Sequence, residues 1–135
     1  IKPQVVQVEA HPYFPQTELK QILSKTGMAL MAWYPLGHGD KTLIQQPVFT
    51  ELAAKYGKSN AQIILRWHTQ VGNVVIPGSR NVDHIRDNID IFDFTLTDEE
   101  LAAIVGVDKG QRYYTATEEA LAGYLAFAPD FNEQE

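Results

Sequence analysis

The sequence predicts an α/β fold with a parallel sheet, because short apolar runs alternate with helical patterns along the chain. Three runs have the length of buried strands, at residues 5–8, 28–33 and 74–77. They are nearly continuous in apolar residues, as expected when both faces of a parallel sheet are covered. Helical patterns follow each run, and parallel strands need such crossovers.

The first two helical patterns are bounded by capping residues. Thr17 is predicted to cap a helix that ends at Gly27. A polar loop at 37–46 then leads to Pro47, which suits the first position of a second helix. Gly57 is its predicted end.

Two capping boxes predict the starts of two further helices. Ser59 pairs with Gln62, and Thr97 pairs with Glu100, each three residues apart. Beyond residue 108 the periodicity weakens, and we expect a tail with one short helix near 117–125.

Composition excludes several classes of protein. A net charge of -6 with scattered basic residues argues against a nucleic-acid surface. The chain has no cysteine and no apolar run of membrane-spanning length, so we expect no membrane partner and a cytoplasmic setting. It opens at Ile1 directly ahead of a strand-like run, which we interpret as a cut chain. Because a complete (β/α)8 barrel takes about 250 residues, the 135 residues form a small open sheet or part of a larger fold.

Four segments in order favour the second interpretation, and they lie at residues 6–13, 32–37, 61–67 and 76–94. Together they resemble the C-terminal portion of the aldo-keto reductase superfamily, most closely its bacterial members related to diketogluconate reductase. The resemblance implies that residues 1–135 supply the last three βα units of a single (β/α)8 TIM barrel domain, incomplete as given. Residues 108–135 would then be its C-terminal tail.

The resemblance further implies a nicotinamide contact at the strand ends. Gln7 matches the glutamine whose amide meets the nicotinamide carboxamide, and Trp33 matches the aromatic residue that stacks on the nicotinamide ring. Tyr34 belongs to the same segment, and Leu36 and Gly37 fall where backbone amides approach the pyrophosphate. The alternative is that Gln7 and Trp33 only pack in the barrel.

The segment 79–88 matches the family's adenosine-phosphate segment, at the start of the helix that follows the last strand. Ser79 and Asn81 correspond to 2′-phosphate ligands, while Asp87 and Asn88 correspond to the residues that meet adenine. The alternative is that Ser79, Asn81 and Asn88 only cap the helix.

Two departures from the family pattern bear on the cofactor. Gly78 stands where the family often has lysine, and His84 stands where an arginine usually faces the 2′-phosphate. We therefore expect NADP(H) as cofactor with a weakened preference over NAD(H). Arg80 and Arg86 lie nearby, and either could compensate.

The family's catalytic tyrosine, lysine, aspartate and histidine come from earlier strands, and no residue here corresponds to them. His11 belongs to a His-Pro turn, and neither Tyr13 nor Tyr34 has a lysine placed to activate it. Glu9, Asp40 and Asp93 are expected to be structural or solvated, with no metal spacing. The tail, including Tyr113 and Tyr114, would help to shape the substrate mouth.

Three hypotheses about function remain. The intact parent would be an NAD(P)H-dependent reductase of aldehydes or ketones, of which this chain alone would be inactive. A second hypothesis is an inactive half-barrel that self-associates through uncovered strand edges, with or without nucleotide binding. A third is that the chain is one piece of a whole barrel whose remainder is separate.

Overall fold

The computed structural model describes residues 2–128, which form one parallel three-stranded sheet with helices. The strands are β1 (Val5–Glu9), β2 (Ala29–Trp33) and β3 (Val74–Val75), in that spatial order. The helices are α1 (Thr17–Ser24), α2 (Lys41–Ile44), α3 (Pro47–Tyr56), α4 (Asn60–Gln70), α5 (Val82–Ile89), α6 (Asp98–Val105) and α7 (Glu118–Ala126). A 3₁₀ turn, Gly37–Gly39, lies between β2 and α2.

Local signals fix several of these boundaries. Both predicted capping boxes are present, with the Ser59 side chain accepting from the amide of Gln62 and the Thr97 side chain from that of Glu100. Pro47 begins α3, as predicted. The predicted tail helix is α7.

The prediction that Thr17 caps α1 is wrong. The capping position is Gln16, in a left-handed conformation with φ 59° and without a side-chain cap bond. The Gln16 side chain instead donates to the backbone oxygen of Glu9 at 2.8 Å. This contact joins the helix start to the end of β1 and leaves Thr17 inside the first turn.

The third strand is shorter than the predicted range 74–77. Only Val74 and Val75 pair, with Met31 and Ala32 of β2. Pro77 has no backbone N–H to donate to a ladder, which limits the pairing. The predicted polar loop 37–46 also contains α2, where the side chain of Asp40 caps the helix.

Two apolar clusters lie on the helix side of the sheet. The smaller contains Ala10, Leu23, Leu30 and Ala32. The larger joins α3, α4 and α6 to the loops, and its most deeply buried members are Leu43, Phe49, Ile63, Ile64, Leu65 and Ile104.

The opposite face of the sheet is largely open in the described part of the chain. Val5 and Val74 are 42% and 40% exposed, and Gln7 is also exposed. Successive strand residues alternate between faces, so Gln7 shares its face with Val5. The sequence predicted cover on both faces. Among residues 2–128 the helix side is covered, whereas on the other face of β1 Val5 and Gln7 are exposed and Glu9 is buried.

Candidate functional site

Three adjoining cavities follow the ends of the strands and lead to α5. The strand-end cavity, of about 320 Å³, lies between Gln7, Trp33 and Tyr114. The central cavity, of about 390 Å³, is lined by Trp33, Tyr34, Leu36 and Gly78 among others. The α5 cavity, of about 380 Å³, is lined by Leu36, Gly78, Ser79, His84, Asp87 and Asn88 among others.

The three cavities share lining residues and are together called the groove. Trp33 lines the first two, while Leu36, Ile44 and Gly78 line the second and third. The structure therefore brings together most of the residues that the resemblance singled out. Gly37, Arg80 and Asn81 line none of the three cavities.

Trp33 lies within a series of aromatic contacts. Its ring stacks on that of Tyr34, with centroids 4.1 Å apart and an interplanar angle of 22°. Tyr114 meets Trp33 edge-on at 5.3 Å. Tyr34 has φ 54°, a left-handed conformation that costs a non-glycine residue about 1–2 kcal/mol. Its contacts with Trp33 and with His38, at 4.4 Å, help to offset that strain.

Gly37 is required by packing as well as by conformation. It has φ 63°, and an added Cβ would lie 2.4 Å from Leu43 and 3.1 Å from Tyr113. Its amide donates to the backbone oxygen of Tyr34 at 2.8 Å. The backbone amide that the resemblance assigned to pyrophosphate is thus engaged in a turn here.

The start of α5 combines helix capping with free donor capacity. The Asn81 side-chain oxygen accepts from the amide of Asp83 at 2.9 Å, and the Ser79 hydroxyl accepts from the amide of Asn81 at 3.0 Å. In both bonds the side chain is the acceptor, so its own hydrogens are not used. The Ser79 hydroxyl proton and the Asn81 amide hydrogens are the groups that an anion needs. Capping and anion binding are therefore compatible at these two residues.

The departures from the family pattern lie at the wall of the α5 cavity. Gly78 and His84 line it, and an added Cβ at Gly78 would meet no atom within 4 Å. Arg80 is exposed, and Arg86 reaches Asp83 at 3.5 Å on the surface. This wall is uncrowded at Gly78, and no lysine is among the residues that line the α5 cavity.

Sequence reasoning missed the wall contributed by α2 and α4. Gln45, Ser59, Asn60 and Ala61 line the α5 cavity opposite α5 itself. The capping box at Ser59 was visible in the sequence, but nothing local indicated that this helix start faces α5.

It also missed His68, which is completely buried in α4. Its Nδ1 accepts from the Asn73 side chain at 3.0 Å, so its Nε2 donates to the backbone oxygen of Pro35 at 3.1 Å. Burial lowers the pKa of His68 to about 3. The neutral ring thereby ties α4 to the loop that carries Tyr34 and Leu36.

The acidic residues outside the groove make structural contacts. Asp93 pairs with Lys58 at 2.8 Å, and Asp40 caps α2 while it accepts from the Tyr113 hydroxyl at 2.6 Å. Among residues 2–128, no three His, Cys, Asp or Glu side chains converge as metal ligands. No helix in that range is both long and apolar enough to span a bilayer.

Comparison with known proteins identifies one family. A model described as the aldo/keto reductase family matches residues 1–109. An aldo-keto reductase from Mycolicibacterium smegmatis is 45% identical over 112 residues, which are 83% of this chain and 40% of that protein. The 2,5-diketo-D-gluconic acid reductase B of a Corynebacterium species is 40% identical over 111 residues, 82% of this chain and 40% of that protein.

Solved structures of aldo-keto reductases also resemble this chain. A crystal structure of an aldo-keto reductase from Bombyx mori in complex with NADP has a TM-score of 0.79 and 38% identity, covering 85% of this chain and 40% of that one. The chain thus spans about 40% of the length of the relatives it matches. The predicted fold, part of an α/β barrel, is confirmed.

Proposed function

Because the chain belongs to the aldo/keto reductase family, as its four segments predicted, we propose that it forms the cofactor-binding part of an NAD(P)H-dependent reductase. The substrate class is a small aldehyde or ketone, reduced to an alcohol. The groove carries this proposal, because most of the residues that resemble cofactor contacts, from Gln7 to Asn88, line its three cavities.

The adenosine half of the cofactor fits the α5 cavity. Ser79 offers its hydroxyl proton there, and Asp87 and Asn88 line the same space. The amino end of α5 adds a favourable potential for phosphate, since its first amides point outward.

The nicotinamide half would lie where the strand-end and central cavities meet. Gln7 offers both a donor and an acceptor to the carboxamide. Trp33 lines both cavities, and the face of its ring that Tyr34 does not cover would meet the nicotinamide. Gln7 and Trp33 would hold the nicotinamide and so decide which of its faces is presented to the substrate. The chemistry that bound cofactor would supply there is a hydride for the carbonyl carbon.

The family's catalytic tyrosine, lysine, aspartate and histidine have no counterpart in this chain. Tyr13 is buried, donates to the backbone oxygen of Thr42 at 3.2 Å and accepts from Gln46 at 2.6 Å, as expected of a packing residue. We propose that the 135-residue chain binds cofactor without turning over substrate, and that the parent barrel supplies the proton donor. A cytoplasmic setting is part of the same proposal.

Calorimetric titration of the 135-residue chain with NADPH, NADH and adenosine 2′,5′-bisphosphate tests this function. We expect all three to bind, with the two dinucleotides differing little because Gly78 and His84 replace fixed cations. The double variant Ser79→Ala, Asn88→Ala should weaken NADPH binding roughly tenfold, through loss of two polar contacts.

Ser24→Ala is the matched control, since Ser24 is exposed on α1 and lines none of the three cavities. It should leave all affinities unchanged. Heat signals indistinguishable from dilution for all three nucleotides at millimolar concentration would reject the proposed function.

Self-association is a second candidate, favoured by the exposed apolar side of α5. Val82, Ile85 and Ile89 are 59%, 52% and 70% exposed, and Phe92 is 62% exposed. Of these, Ile85, Ile89 and Phe92 line a cavity together with Val74 and Val75 of the short edge strand β3. Such a surface favours pairing with a second copy.

Sedimentation velocity tests this candidate. If the chain dimerises through this surface, the variant Ile85→Glu, Ile89→Glu should be monomeric while the wild type is dimeric. Ile22→Glu, at an equally exposed position on α1 (58%), should stay dimeric. A wild type that sediments as a monomer of 15.2 kDa at all concentrations would eliminate it.

A further inference from the structure

Glu9 is a buried carboxylate at the carboxyl end of β1, and only 7% of it is exposed. It accepts from the backbone amide of Tyr113 at 2.6 Å and from that of Tyr114 at 3.1 Å. His11 Nε2 lies 3.0 Å from the same carboxylate. A buried charge is tolerated when it is fully hydrogen-bonded, so Glu9 binds tightly to the chain more than a hundred positions later.

The residues 109–114, here called the tail strap, lie across the ends of β1 and β2. The amides of Lys109 and Gln111 donate to the backbone oxygen of Tyr13 at 3.1 and 3.2 Å. Lys109 Nζ lies 3.7 Å from the centre of the Tyr13 ring. The strap is thus attached at one end to Tyr13 and at the other to Glu9.

The strap brings two aromatic rings to the groove. Tyr113 donates to Asp40 at 2.6 Å and packs beside Gly37. Tyr114 meets the Trp33 ring edge-on at 5.3 Å and lines the strand-end cavity with Gln7. Trp33 therefore contacts a segment that Glu9 holds.

We propose that Glu9 is a positioning residue: its carboxylate holds the tail strap in place, and the strap, through Tyr114, fixes the Trp33 ring against which nicotinamide stacks. This rests on the proposed function for the role of Trp33. The attachment of the strap itself does not depend on cofactor. Two readouts therefore test the attachment of the strap and the positioning of Trp33 separately.

The first readout is limited trypsin digestion of the 135-residue chain. Lys109 and Arg112 lie inside the strap, and Arg80 lies in the exposed loop before α5. In Glu9→Gln, one carboxylate oxygen is replaced by an amide NH2, a donor that would face another donor, so the strap loosens. Cleavage at Lys109 and Arg112 should accelerate roughly tenfold relative to cleavage at Arg80. Glu51→Gln, an exposed glutamate on α3, should leave that ratio unchanged.

The second readout is the affinity for NADPH compared with that for adenosine 2′,5′-bisphosphate. Glu9→Gln should weaken NADPH roughly tenfold and leave the bisphosphate unchanged, because the α5 cavity lies away from the strap. Tyr114→Ala should do the same while it preserves the backbone attachment, and it serves if Glu9→Gln fails to fold. A purely structural effect of Glu9 would weaken both ligands equally.

The outcomes are distinct. Wild-type binding of NADPH with unchanged affinity in both variants overturns the positioning role and leaves the proposed function intact. An unchanged cleavage ratio in Glu9→Gln overturns the attachment. Absence of any nucleotide binding by the wild type overturns the proposed function, and the positioning role with it.

Discussion

The helices α4 and α5 face each other across one cavity, yet they differ in almost every other respect. Of the residues of α4, Gln62, Ile63, Ile64, Leu65, Trp67 and His68 are buried, and its start is fixed by a capping box. No residue of α5 is buried, although Val82, Ile85 and Ile89 recur at helical spacing. Helix α4 is therefore part of the packed core, whereas α5 forms an exposed wall of the cavity.

This difference separates stability from recognition. Substitutions in α4 disturb a packed core and the loop that His68 holds. Substitutions on the groove side of α5 meet open space, so they can change ligand affinity at little cost to the fold. The departures at Gly78 and His84 from the family pattern both fall on this permissive side.

The largest contrast is expected between two isoleucines. Ile64→Ala in α4 removes a side chain that is 0% exposed, and it should lower the free energy of unfolding by about 2–5 kcal/mol. Ile85→Ala in α5, at 52% exposure, should cost about 0.5 kcal/mol or less. Urea unfolding measures both. Comparable losses would mean that the apolar side of α5 is covered in solution, as self-association requires.

The next prediction concerns the pH dependence of stability, which two buried histidines control. Burial lowers the pKa of His68 to about 3, below the ordinary 6.5. Between these two pH values the histidine is protonated in the unfolded chain and neutral in the folded chain. Stability should therefore fall as pH drops from 6.5 toward 3, by about 1.4 kcal/mol per unit for this group. Burial also lowers the pKa of His11 despite the opposing effect of Glu9, which adds to the slope.

Urea unfolding at pH 6 and pH 5 measures mainly the histidines, because a carboxylate whose pKa is lowered in the folded chain, such as Glu9, loses most of its stabilising contribution below the ordinary pKa that it has when unfolded. His68→Gln should reduce the slope, whereas Ser24→Ala, at an exposed position on α1 without a titratable group, should leave it as in the wild type. Equal slopes in the wild type and His68→Gln would show that His68 is not buried as a neutral ring.

The smallest effect concerns cofactor preference. The variant Gly78→Lys, His84→Arg restores two fixed cations where Gly78 has room for a side chain. NADPH affinity should rise roughly tenfold at low salt with NADH affinity unchanged, since only NADPH carries the 2′-phosphate. Calorimetry at two salt concentrations measures this. An equal gain for both dinucleotides would place the new cations away from the 2′-phosphate.

The sequence predicted what local signals control. The capping boxes at Ser59 and Thr97 and the helix start at Pro47 need only neighbouring residues, and all three are present. The parallel sheet followed from apolar runs and crossover helices. The family and its partial barrel fold followed from four segments in order.

The features that were not predicted depend on side-chain contacts that no capping signal or hydrophobic period indicates. Gln16 takes a left-handed conformation where its side chain reaches Glu9, and Tyr34 does so where its ring stacks on Trp33. The hydrogen bond between Glu9 and Tyr113 joins residues 104 positions apart, so no local sequence pattern predicts it. For the candidate site, sequence could name residues on the groove but could not find the wall that α4 contributes.

The central claim is that this chain holds a nicotinamide dinucleotide with Trp33 beside the nicotinamide. Titration with NADPH, followed by tryptophan fluorescence in the wild type and in Trp33→Phe, tests it most directly, because Trp67 is buried and serves as the internal reference. The account predicts saturable quenching in the wild type and its loss in Trp33→Phe. Equal quenching in both proteins, or none in the wild type, would contradict it.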